Sequence, residues 1–190
     1  IMTFSINLSS LDGSNGFRLD GEITFNLWSG SISNAGDVNG DGFDDVIVGA
    51  GDADPNDGSY SGSSYVVFGQ ASGFSATMDL SSLDGSNGFR LDGVAASHRS
   101  GKSVSTAGDV NGDGFDDLIV GAYRANSNGF NHGSSYVVFG KAFGFSAAMD
   151  LSSLNGSNGF RLYGERFDQS GISVSTAGDV NGDGFDDVIV

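Results

Sequence analysis

Short apolar runs punctuated by glycine, asparagine, aspartate and serine make up most of the chain, and no helical period of 3.6 residues is sustained anywhere. DLIVGA at 117–122 is continuously apolar, which predicts a strand buried on both faces. SSYVVFG at 134–140 is rich in β-branched and aromatic residues, and GFRLYG at 159–164 alternates apolar with polar as a half-exposed outer strand does. SVSTAG at 103–108 alternates small residues and suits a strand packed close to an axis. The intervening Gly/Asn/Ser clusters are turns. The pattern predicts four strands in succession and no helical segment.

The same pattern recurs. DVNGDGFDD occupies 37–45, 109–117 and 179–187, so its starts are 72 and then 70 residues apart. LDGSNGFRL at 11–19 returns at 83–91 and, as LNGSNGFRL, at 154–162; SSYVVFG at 63–69 returns at 134–140. Four strands per repeat of about 70 residues predict an all-β fold of β-propeller blades, each a four-stranded antiparallel sheet. A β-solenoid is the structural alternative, but its repeats are normally far shorter. With the strands lettered A to D, the chain reads D, ABCD, ABCD, AB. That is a partial propeller of about two and a half blades, with an outer strand of a preceding blade in 1–28, blades in 29–99 and 100–169, and an incomplete blade in 170–190. Too few blades to close a ring leaves two expectations: part of a longer chain, which we favour, or several chains completing each other's blades as a ring or filament.

The nonapeptide carries the chemistry. Asp-x-Asn-x-Asp-Gly-x-x-Asp sets oxygen ligands at positions 1, 3, 5 and 9 with a backbone carbonyl at 7, the way a short loop encloses a hard cation. The expected ligands are Asp37, Asn39, Asp41, the Phe43 carbonyl and Asp45; then Asp109, Asn111, Asp113, Phe115 and Asp117; then Asp179, Asn181, Asp183, Phe185 and Asp187. Gly42, Gly114 and Gly184 stand at position 6, where the chain must turn sharply. Magnesium fits less well, because it keeps its waters. An EF-hand needs an acidic ligand at position 12 and a following helix, but Val48, Val120 and Val190 stand there. The alternative is a metal-free Asn-Gly hairpin. Asp44, Asp116 and Asp186 are left over, facing solvent or backing the ligands.

The order GKSVSTAGDVNGDGFDDLIVGA, SSYVVFG, GFRLYGERFDQSG resembles the FG-GAP repeat, which builds the propeller of integrin α-subunits and occurs in many bacterial secreted proteins. The Phe-Gly element is loose, from Phe167 to Gly171, and Gly-Ala-Pro becomes Gly49-Ala50-Gly51 and Gly121-Ala122-Tyr123. The resemblance implies calcium in each loop, three ions in all, and favours a bacterial surface or matrix protein over an animal integrin.

Net charge is −16, and 12 of the 24 acidic residues lie in the three nonapeptides, so the acidity is local. It disfavours nucleic acid and anionic membrane surfaces as partners. Three calcium ions would bring the charge to about −10. There is no cysteine, and glycine at 32 against one proline suits strands and tight turns. Weaker signals add little. Ser100-Gly-Lys-Ser103 imitates the end of a phosphate loop but has Ala96 where the earlier glycine is required. His98 and His132 read as loop residues. Asn7 and Asn155 begin chance-level glycosylation sequons. Trp28, Tyr60, Tyr123 and Phe130 form an aromatic set suited to packing between blades, or to a sugar-stacking rim. No general acid–base pair stands outside the acidic loops. The expected function is therefore a non-enzymatic, calcium-binding module of a secreted or cell-surface protein, serving adhesion or scaffold assembly through a protein or glycan ligand. The alternatives are a carbohydrate-binding propeller and the accessory propeller of a secreted hydrolase or lyase.

Overall fold

The computed structural model describes residues 7–21, 30–55, 60–127 and 130–190. Strand β1 (Arg18–Asp20) precedes a first repeat of β2 (Ser31–Gly36), β3 (Asp45–Ala50), β4 (Ser63–Val67), β5 (Thr77–Asp79) and β6 (Gly88–Asp92). The second repeat gives β7 (Ser103–Gly108), β8 (Asp117–Ala122), the short pair β9 (Asn126–Ser127) and β10 (Phe130–Asn131), β11 (Ser134–Val138), β12 (Ala148–Asp150) and β13 (Gly159–Tyr163). A third repeat begins with β14 (Ser175–Gly178) and β15 (Asp187–Ile189).

The long strands pair as the sequence predicts. One sheet runs β2-β3-β4-β6 and the next β7-β8-β11-β13, antiparallel throughout. Their central strands β4, β8 and β11 are buried along their whole length, which is why they read as unbroken or β-branched runs rather than alternations. Ile47, Val66, Phe89 and Leu91 of the first sheet share one core with Leu118, Val120, Tyr136 and Val138 of the second. Burying each such side chain contributes roughly 1.5–3 kcal/mol. Chain by chain this is the four-stranded blade of a β-propeller, two of them packed face to face.

Two features differ from the sequence reading. First, β12 joins the outer edge of the first sheet, parallel to β6, with Ala148 opposite Arg90 and Asp150 opposite Asp92; β5 lies against β1 in the same way. β12 thus makes the first sheet five-stranded, and β5 forms a two-stranded sheet with β1 among the described residues. Stacked phenylalanines hold this crossover: Phe145 lies on Phe89 at 4.6 Å and Phe74 on Phe17 at 4.0 Å between centroids. Second, the repeated Leu-Ser-Ser triplets are single-turn 3-10 helices at Leu8–Ser10, Leu80–Ser82 and Leu151–Ser153, so the expectation of no helical segment holds only for α-helix. Asn7, Asp79 and Asp150 cap them by accepting from the amides of Ser9, Ser81 and Ser152. Leu80 and Leu151 anchor two of these turns in the core.

The small-residue strands do pack side by side. β2 lies next to β7, and β7 next to β14. Ser31 Oγ accepts from the Val104 amide at 3.3 Å, and Ser103 Oγ from the Val174 amide at 2.9 Å, stitching each inner strand to the next. The Gly-Ala pairs that end β3 and β8 have a matching cause. A methyl group on Gly49 would collide with the Gly101 carbonyl, and one on Gly121 with the Gly171 carbonyl. The start of the following repeat sits directly on that backbone.

Candidate metal loops

Each nonapeptide connects the inner strand of a sheet to the second strand, β2 to β3, β7 to β8 and β14 to β15. The local sequence folds it by turning short side chains back on their own backbone. Asp37 Oδ1 accepts from the Asp41 amide at 3.0 Å and its Oδ2 from the Gly42 amide at 2.9 Å. Asn39 Oδ1 also accepts from the Asp41 amide, at 2.9 Å, and Asp41 Oδ1 from the Phe43 amide, at 2.9 Å. The second loop repeats this with Asp109 on Asp113 and Gly114, Asn111 on Asp113, and Asp113 on Phe115. The third does so with Asp179, Asn181 and Asp183. A carboxylate bonded to amides four and five residues ahead must lie inside the curve of the loop. Gly42, Gly114 and Gly184 make that curve with φ of 89°, 90° and 92°.

Position 9 is different. Asp45 and Asp117 head their strands and are 1% and 0% exposed. Asp45 accepts from the amides of Val38 and Gly69, and Asp117 from those of Val110 and Gly140, at 2.8–3.0 Å. Burial pushes Asp45 up to about 6 and Asp117 up to about 7; the amide bonds oppose the rise, and the carboxylates at positions 1 and 5 add to it. At the exposed third loop Asp179 is held below the ordinary value, chiefly by the Gly184 amide. Among the described residues no lysine or arginine pairs with any of these acids: the ion pairs join Arg18 to Asp20, Arg90 to Asp92 and Arg99 to Asp52.

The donor set therefore fits a hard cation. It is all oxygen, it curls around one turn, and it includes buried carboxylates without a cationic side chain. The three carboxylates of a loop are not drawn into one tight cluster; among the described residues no group of three acidic, histidine or cysteine side chains meets as closely as a metal centre requires.

Two acids outside the expected ligand set have a clear role. Asp116 Oδ2 accepts from the Asp37 amide at 2.7 Å, and the Asp116 amide donates to the Asp37 carbonyl at 3.3 Å. One repeat on, Asp186 clasps Asp109 with the same pair of bonds, at 2.9 and 3.1 Å. Of the two expectations for Asp116 and Asp186, facing solvent or backing the ligands, the contacts agree with the second, and the ligand residue each backs belongs to the loop of the sheet before. Gly36 and Gly108 leave room for these carboxylates, and Gly40 and Gly112 for the rings of Phe115 and Phe185.

The FG-GAP repeat model matches residues 29–67 and 100–138, each match running from the inner strand through the acidic loop to the third strand of a sheet. The chain carries two FG-GAP repeats. It is similar to integrin alpha-6 of Gallus gallus, 31% identical over 132 residues, and to integrin alpha-6 of Homo sapiens, 32% identical over 129 residues; each alignment covers 60% of this chain. Integrin alpha-4 of Xenopus laevis is 28% identical over 160 residues, 82% of the chain. The chain spans only 10–13% of the length of these relatives. All three are vertebrate proteins and lend no support to the bacterial type expected from the sequence.

In and around these two repeats the weaker sequence signals find structural uses. Ser100 and Gly101 begin the backbone that lies on the first sheet, so the phosphate-loop likeness is a strand entry. His98 is buried, with Nε2 accepting from the Asn126 amide at 3.3 Å. Asn155 Oδ1 accepts from the amide and hydroxyl of Ser157, making its sequon the same tight turn that Asp12 and Asp84 make in the other copies. Tyr60 and Tyr123 each lie under an arginine, Arg99 at 5.2 Å and Arg124 at 5.4 Å. Trp28 lies outside the described residues, as does the side chain of Phe130.

Proposed function

We propose that this chain is part of a non-enzymatic, calcium-stabilised FG-GAP propeller of an extracellular or cell-surface protein, serving adhesion or scaffold assembly. The observation that carries the calcium reading is the pair Asp45 and Asp117: fully buried carboxylates, without a cationic side chain, closing loops whose other donors are all oxygen. A bound divalent ion would be held in the first loop by Asp37, Asn39, Asp41, the Phe43 carbonyl and Asp45, and by the matching residues of the other two loops. It would supply the positive charge that four aspartates in nine residues lack. The extracellular role is supported by the kinship with integrin α chains. No helix among the described residues is long and apolar enough to cross a membrane.

Thermal unfolding in calcium, in magnesium and after chelation tests the proposal. Calcium should raise the midpoint, magnesium should do so less, and chelation should reverse the gain. A midpoint that ignores calcium up to about 10 mM, well above the range of roughly 0.1–1 mM typical of extracellular modules, would refute it.

A further inference from the structure

We propose that Asp116 and Asp186 couple the calcium loops of successive blades, so that filling one loop prepares the loop before it. The inference rests on the calcium reading and adds to it a pathway between sites. Asp116 stands between Phe115, whose carbonyl is the expected ligand at position 7, and Asp117, the buried ligand at position 9. Closing the second loop around an ion therefore fixes the peptide that carries Asp116. That peptide makes two hydrogen bonds to Asp37, the residue at position 1 of the first loop. Both the amide and the carbonyl of Asp37 are then held while its carboxylate remains turned into its own loop.

Two further contacts join the same pair of loops. The ring of Phe115 lies against Gly40, between the first loop's ligands at positions 3 and 5. After β11, Gly140 donates to Asp117 Oδ1 at 2.9 Å while the next residue, Lys141, donates its amide to the Val38 carbonyl at 2.9 Å. One dipeptide thus touches the ninth-position ligand of one loop and the second residue of the loop before it. The second interface has the same clasp, Asp186 on Asp109, and the same packing of Phe185 against Gly112. The arrangement recurs wherever two described loops adjoin.

Linkage makes the coupling mutual: an ion that orders the second loop lowers the ordering cost of the first, and the reverse. Asp116 and Asp186 are positioning residues in this scheme, because their carboxylates accept from the amides of Asp37 and Asp109 in the loop before.

The position-6 glycines provide a reporter in each loop. The amides of Gly42, Gly114 and Gly184 donate to the carboxylates of Asp37, Asp109 and Asp179 at 2.9–3.0 Å, so their amide resonances will move as each loop fills. A calcium titration followed at these three amides gives three midpoints. In the Asp116→Ala chain the Gly42 midpoint should rise at least about fivefold, the low end of usual coupling factors. The Gly114 midpoint should rise with it, and the Gly184 midpoint should move least. Asp116→Asn, which keeps an acceptor oxygen, should restore the Gly42 midpoint to within about twofold. If Asp116→Ala does not fold, Asp186→Ala repeats the test one interface on, with Gly114 as reporter.

A folded Asp116→Ala chain with an unchanged Gly42 midpoint overturns the coupling and leaves the clasp a purely structural contact. Wild-type glycine amides that never respond to calcium overturn the calcium reading itself, which is a separate outcome.

Discussion

Replacing Asp117 with asparagine should have opposite consequences with and without calcium. The side chain is 0% exposed and bonded to the Val110 and Gly140 amides at 3.0 and 2.9 Å. Burial lifts its pKa from 3.8 to about 7, which at neutral pH corresponds to roughly 4 kcal/mol against the ionised carboxylate. Asparagine removes that charge but offers a single acceptor oxygen, so one buried amide loses its partner at about 1–3 kcal/mol. In chelator the difference leaves Asp117→Asn about 1–3 kcal/mol more stable than wild type. In calcium at about 100 times the dissociation constant, each filled loop adds about 2.7 kcal/mol to the wild type. The variant loses most of the share from its own loop. Urea unfolding of both chains in each condition measures the difference directly. An equal destabilisation in chelator and in calcium would refute the reasoning, because Asp117 would then be only an acceptor for two backbone amides.

Two other outcomes follow from the packing. Gly121→Ala places a methyl group against the Gly171 carbonyl of the next repeat, so its thermal midpoint should fall by the equivalent of about 1–3 kcal/mol or more; Gly114→Ala, with open space around it, should show only the cost of its φ of 90°. Burial, with the Arg161 charge as a lesser cause, lowers the His98 pKa below 6.5, so the folded chain resists a proton that the unfolded chain accepts. His98 therefore costs no stability above about pH 7, and the loss grows as pH falls below 6.5 and through the folded value. Lowering the pH from 7.5 to 5 should therefore cost wild type more stability than His98→Gln in urea unfolding, and an equal loss in both would refute it.

The four main strands of each repeat, their order, and the oxygen-rich loops between the first and second were legible in the sequence. All depend on local patterns: uninterrupted apolar runs where both faces are buried, alternation at the outer edge, and an acid-glycine spacing that dictates its own turns. Writing the pattern three times made it stronger than one copy could be. The Leu-Ser-Ser turns were missed for want of length, since one turn of 3-10 helix leaves no periodicity to detect.

What the tertiary structure alone decided lies between repeats. Nothing near Thr77–Asp79 or Ala148–Asp150 says that these residues lie parallel to an outer strand one repeat back. Nothing within DVNGDGFDD distinguishes an aspartate that lines its own loop from one that reaches 79 residues back to Asp37. A sequence pattern records which face of a strand is buried and which side chains a turn needs, because those are set by neighbours along the chain. Partners 70 or more residues away are set by how one sheet lies on the next. There the identical nonapeptide divides its aspartates between holding its own loop and clasping the one before.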